Sequence, residues 1–250
     1  MVGQTRSTEI KTTANSRFAK AGVSCFYDSE VLNSSFVHLI EFSAKNPRLQ
    51  HYPKRYLQAF YQNFTYKSMT EKEFLKYIHK RLSTISVGAS ALRNQGASGI
   101  IKTARNYFYE IKIDDFIATI DNGNDYKKFL NTHTEKLVSK FPKEARSWGA
   151  ARKGLNLFFR EIVYNKFFSD YYKLPIEFTK FNDKIKYLEV PLDKDVATGI
   201  YNDTELNIPK WKSIKKLDLD ISEKYQNAAQ EISEKINIAK VNLDLKYWRK

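Results

Sequence analysis

The sequence predicts an all-α protein. Three observations carry that prediction. From Gly22 onward the apolar residues recur mostly at three- and four-residue spacing, the period of one helix face. No stretch shows the strict apolar–polar alternation of a half-buried strand. Clusters of Ser, Asn, Asp and Gly interrupt the periodic segments, several of them in the form of helix caps.

Taken in order, Met1 to about Ala21 is rich in Ser, Thr and Lys and poor in apolar residues, so residues 1–21 are expected to be a disordered basic arm. Residues 51–82 are aromatic-rich and basic, and Thr70 with Glu73 forms a capping box for a helix ending near Arg81. Ser86–Gly99 is small, polar and glycine-rich, which predicts a surface loop before the helical stretch Ile100–Ile113. Asp121-Asn-Gly-Asn-Asp125 reads as a turn. Lys140-Phe-Pro-Lys-Glu-Ala-Arg146 is a third break, and a long helix follows it. In that helix Leu155, Phe158, Phe159, Ile162 and Val163 form one apolar stripe. Lys153, Arg160 and Tyr164 fall on the opposite side, with Leu157 among them.

Val190-Pro-Leu192 leads into Asp193, expected at or near the N-cap of the next helix, with Asp195 a weaker candidate for the same role. The last long helix is expected to open at Asp220-Ile-Ser-Glu223 and to bury Tyr225, Ala228, Ala229, Ile232, Ile236 and Ala239. Near the C-terminus Asp244 and Trp248 are four apart, so a helical turn would put an acceptor and a stacking surface on one side.

Composition narrows the function. Across 250 residues, 42 Lys+Arg against 28 Asp+Glu leave a net charge of +14, which points to a polyanionic partner. Residues 41–110 alone hold 12 Lys+Arg against 4 Asp+Glu, so much of the grip is expected there. A single cysteine, Cys25, excludes an internal disulfide. His38, His51, His79 and His133 show no ligand spacing, so no metal and no cofactor are expected. No apolar run approaches the roughly 20 residues of a membrane span, and no signal peptide is visible. A cytoplasmic monomer is expected.

One pair of residues carries chemistry. A lysine amine with a carboxylate suits glycosidic-bond cleavage through a Schiff base. Lys153 opens the long helix, and Asp193 follows a proline-containing connection into another. Either residue alone reads more simply, Lys153 as a solvated lysine and Asp193 as an ordinary capping aspartate; together they are the candidate catalytic pair.

Arg152-Lys153-Gly-Leu-Asn-Leu, then Val190-Pro-Leu-Asp193-Lys-Asp-Val-Ala197, then Leu243-Asp244-Leu-Lys-Tyr-Trp248 occur in the order found in the helix-hairpin-helix DNA glycosylases. Gly149-Ala-Ala-Arg-Lys153 resembles the Gly-x-Gly-x-Lys end of that family's hairpin. The pattern is most similar to the divergent archaeal 8-oxoguanine glycosylase branch, over roughly residues 130–250, and is also similar to bacterial glycosylases that attack hypermodified bases in phage DNA. The resemblance implies two helical subdomains flanking a cleft, about 22–125 and 126–250 within one 22–250 domain.

It implies Lys153 as nucleophile and Asp193 as stabiliser of the oxocarbenium ion. It also implies Asp244, Trp248 and Leu157 around the flipped base; Leu157 stands where those enzymes present an aromatic. Arg146, Arg152 and Arg160 would contact DNA, with Arg93, Asn94 and Gln95 filling the vacated gap. The partner would be double-stranded DNA carrying a modified base, hypermodified phage cytosine or 8-oxoguanine. The alternative is a catalytically silent, basic helical nucleic-acid-binding protein.

Overall fold

The computed structural model describes residues 68–92 and 95–248, and Met69–Lys250 forms one compact unit. The expected arm at 1–21, the start of the 22–250 domain, Arg93 and Asn94 lie outside the described residues. Within them every regular element is a helix.

Helix α1 (Glu71–Ile85) starts at the predicted capping box: the Glu73 N–H donates to Thr70 Oγ1 at 3.2 Å and the Thr70 N–H to Glu73 Oε2 at 2.9 Å. It runs four residues beyond Arg81. The described residues of 86–99 form a loop, as the composition suggests, with Ala89, Ser90, Gly96, Ser98 and Gly99 exposed, but it is anchored by the buried Val87, Leu92 and Gln95. Gly96, at φ +102°, sits so close to the chain that an added Cβ would lie 2.7 Å from the Glu144 carbonyl oxygen. Gly96 thus combines exposure to solvent with a close backbone approach.

The helical stretch 100–113 is broken after Glu110 into α2 (Ile100–Glu110) and α3 (Ile113–Ile117). The turn cluster at 121–125 is a helix start: Asn122 caps α4 (Gly123–Lys140), its Oδ1 accepting from the Asn124 and Asp125 N–H groups. A connection with one 3₁₀ turn, Lys143–Ala145, then leads to α5 (Trp148–Tyr164), capped by Ser147. Asn165 ends α5 and caps α6 (Lys166–Tyr171), and α7 (Phe178–Lys184) follows.

Helix α8 (Lys194–Asp203) starts at Asp193 as the sequence predicts. Helix α9 (Leu219–Lys235) begins two residues before the predicted site, because Asp218 rather than Asp220 is the cap, accepting from the Ile221 N–H at 2.9 Å. It ends before Ile236, which is exposed instead of joining the apolar face. Helix α10 (Leu243–Tyr247) closes the described chain.

Two hydrophobic cores organise these helices. The first takes residues from Leu75 to Leu188 with Ala239 and Val241, and α5 runs through it. Phe158 stacks on Phe108 at 4.9 Å and Phe159 on Phe116 at 4.4 Å, so two consecutive residues of α5 anchor α2 and α3. The second core runs from Val190 to Tyr247 and joins α8, α9 and α10. Both cores lie within the one compact unit, and along the chain the first gives way to the second near residue 189. Helix α4 packs along α5 and shares the first core with the helices before it.

Candidate active site

Helix α5 is apolar or small on nearly every face of its first two turns, and Gly149 through Asn156 are all buried. Lys153 lies in this stretch at 8% exposure, so it is no solvated lysine. Its Nζ donates to Asp193 Oδ2 at 3.1 Å, across forty residues of sequence. The other carboxylate oxygen, Oδ1, accepts from the Asp195 and Val196 N–H groups at 3.0 Å each. The start of α8 thus holds one oxygen, and the second is left for the amine.

A second ion pair sets this alignment. Arg152 donates through Nε and Nη2 to both oxygens of Glu189, at 2.9 and 3.0 Å. Its remaining contacts are Thr134 Oγ1 at 2.9 Å and Asn131 Oδ1 at 2.8 Å, and its guanidinium covers the Trp148 ring. Burial pushes the Glu189 carboxyl up, but the Arg152 charge and hydrogen bonds, with help from Lys240 and Asn156, outweigh burial and hold it below the usual carboxylate value. Consecutive cations on α5 thereby meet two carboxylates four residues apart. Between them, Gln226 of α9 bonds both the N–H and the carbonyl of Val190, at 3.0 and 2.9 Å. The 189–193 segment is clamped from both sides.

The pair opens onto a cleft of about 680 Å³ between the two cores. One wall comes from α8, where Lys194, Thr198, Tyr201 and Asn202 recur on one helix face. The other is the segment carrying Lys210, Trp211, Lys212 and Lys215, and Gln95 lies at the edge. Among the described residues, five lysines line the cleft (Lys153, Lys194, Lys210, Lys212, Lys215) and Asp193 is the sole acidic lining residue, so their field inside is strongly positive. Among the described residues, the four lysines other than Lys153 take part in no ion pair.

Gly149 makes the wall possible. A Cβ there would lie 2.2 Å from the Ile214 carbonyl oxygen and 2.7 Å from Leu217 Cβ. Since one obstacle is backbone, no rotamer change relieves it. Gly149→Ala is expected to lower the unfolding free energy by about 2–3 kcal/mol, read as a fall in the urea midpoint; an unchanged midpoint would show that the wall yields freely.

The structure brings together Lys153, Asp193 and Gln95 of the residues singled out in the sequence. It places others elsewhere. Arg152 is buried with its donors committed, so it cannot contact DNA as expected. Arg160 is paired with Asp244 and Glu161 and largely buried, which removes it from the DNA-facing set and occupies the Asp244 carboxylate expected at the base. Asp244 is buried in α10 while Trp248 lies past its end at 62% exposure; neither lines the cleft. The helical turn that was to align them stops one residue short. Leu157 packs against the first core. Arg146 is exposed, and its Nη2 donates to the Ser139 carbonyl oxygen at 3.4 Å.

Sequence reasoning missed Lys210, Trp211, Lys212 and Lys215. Their signal was present as Lys210-Trp-Lys-Ser-Ile-Lys215, an aromatic set among lysines, but the stretch has no helical period and reads as a connection.

Chemically, the cleft offers one buried amine, one carboxylate in contact with it, an indole and a rim of ammonium groups. No group of three or more His, Cys, Asp or Glu side chains able to hold a metal occurs among the described residues, and none of the described helices is long and apolar enough to cross a membrane. No family model, no curated protein and no solved structure matches the chain.

Proposed function

We propose that this chain is a DNA N-glycosylase that extrudes a modified base into the cleft and cleaves its glycosidic bond through Lys153 and Asp193. The observation that carries the proposal is the 3.1 Å contact between a buried lysine amine and a helix-capping carboxylate at a lysine-rimmed cleft. A stable fold has little need of a buried lysine paired in this way, since apolar residues of similar volume serve a core at least as well.

In the reaction, a Lys153 proton crosses the hydrogen bond to Asp193 and is delivered to the departing base. The C1′–N bond breaks with its electrons on the base. Asp193, ionised again, faces the positive sugar, and the free amine of Lys153 bonds to C1′. Ring opening gives a Schiff base, from which β-elimination nicks the strand. The partner is double-stranded DNA, held through phosphates in a salt-dependent manner. The positive cleft favours neutral or anionic bases, such as 8-oxoguanine or a hypermodified cytosine, over cationic alkylated purines. We extend the proposal to the fold: the α4–connection–α5 arrangement, with the lysine in the second turn of α5, is taken as a helix-hairpin-helix variant.

Borohydride trapping tests this. Full-length protein is mixed with labelled duplex carrying an abasic site, 8-oxoguanine or a phage-type cytosine. A covalent band is expected from the wild type and none from Lys153→Ala. Alkali-labile sites without a band would make Asp193 the activator of water in a monofunctional enzyme. Neither signal on any DNA would leave the silent nucleic-acid binder in place of the enzyme.

A further inference from the structure

The wall opposite α8 has features that catalysis by Lys153 and Asp193 does not require. Trp211 is half-buried and meets the ring of Tyr225 edge-to-face, with centroids 5.8 Å apart and planes at 88°. Tyr225 is fully buried in the second core, and its hydroxyl donates to the Pro209 carbonyl oxygen at 2.8 Å. The segment is therefore pinned just before Trp211 by Tyr225 and at 214–217 by the close approach of Gly149. Between those pins Lys210, Lys212 and Lys215 are exposed and outside any ion pair among the described residues. An indole fixed on one edge, set at a cleft wall and flanked by uncommitted ammonium groups, is poorly explained by packing alone.

We infer that residues 209–215 form the nucleotide-holding wall of the cleft: Trp211 stacks on the extruded base, while Lys210, Lys212 and Lys215 take the phosphates beside it. This deepens the proposed function and rests on it. Base–aromatic stacking tolerates any base because every base has a π-face. The lysines add charge without reading sequence. The cleft volume suits one nucleotide rather than a duplex segment. Trp211, and not the exposed Trp248, is thus the stacking residue, and Tyr201 on α8 is placed to take the opposite side of the cleft.

The test separates base recognition from sugar chemistry. An abasic site carries no base to stack. Trp211→Ala is therefore expected to lower kcat/KM for base release by about 10- to 100-fold while Lys153 trapping at a preformed abasic site stays within about threefold; Trp211→Phe should recover most of the loss. Equal loss in both assays, or loss in neither, overturns the stacking role.

A Lys210→Gln/Lys212→Gln/Lys215→Gln variant changes only exposed side chains and should fold. Its slope of log affinity against log salt is expected to fall by about 2–3; an unchanged slope overturns the phosphate role. If the wild type neither traps nor releases a base, the enzyme reading fails, and the wall is judged alone by tryptophan quenching with a single-stranded oligonucleotide. Quenching lost in Trp211→Phe sustains it, and quenching retained there refutes it.

Discussion

Glu189→Ala is expected to destabilise the protein by about 3–5 kcal/mol, the cost of stranding one partner of a buried ion pair. Arg152 has almost no exposure, and Glu189 takes two of its hydrogen bonds. Without Glu189 the guanidinium keeps Thr134 and Asn131 but loses its counter-charge. Urea denaturation of the full chain measures the effect. The double variant Arg152→Met/Glu189→Met removes both charges and is expected to recover most of the loss. A single-variant loss below about 1 kcal/mol would mean that the site relaxes enough to hydrate the arginine. Base release should not recover in the double variant to the extent that stability does, because the 189–193 segment positions Asp193 against Lys153.

The second large effect is on chemistry. Asp193→Asn is expected to cut base release on the order of 10³-fold, the usual scale for removing a group that relays a proton and stabilises charge in the transition state. Asparagine caps helices about as well as aspartate, so α8 should persist, but the buried Lys153 loses its counter-charge at this partly exposed pair and the stability change is expected at about 1–3 kcal/mol. Trapping at a preformed abasic site should fall too, because Asp193 takes the Lys153 proton there as well, but less than base release, since the glycosidic bond is already gone. Base release at wild-type rate in Asp193→Asn would remove the carboxylate from the mechanism. Asp193→Ala, by contrast, should lose the cap as well and melt earlier.

The sequence by itself determined the helical class, several of the caps and the candidate pair. Thr70–Glu73 and Asp193 announce their helices locally because a cap is a contact between residues two or three apart. The stripe from Leu155 to Val163 announces the buried side of α5 in the same way. Lys153 could be singled out by its pairing with Asp193, but its burial could not be read from its place opposite that stripe, because the elements that cover α5 are distant in sequence.

Only the tertiary structure decided which charges remain available. Arg152 and Arg160 look like DNA contacts in a basic chain, yet Glu189 and Asp244 claim them across dozens of residues. Lys210, Lys212 and Lys215 look like an ordinary linker, yet the close approach at Gly149 and the Tyr225 brace turn them into a cleft wall. Helix period and capping are local and can be read along the chain. Pairing, burial and the orientation of aperiodic segments depend on which distant elements meet, and that depends on packing the two cores.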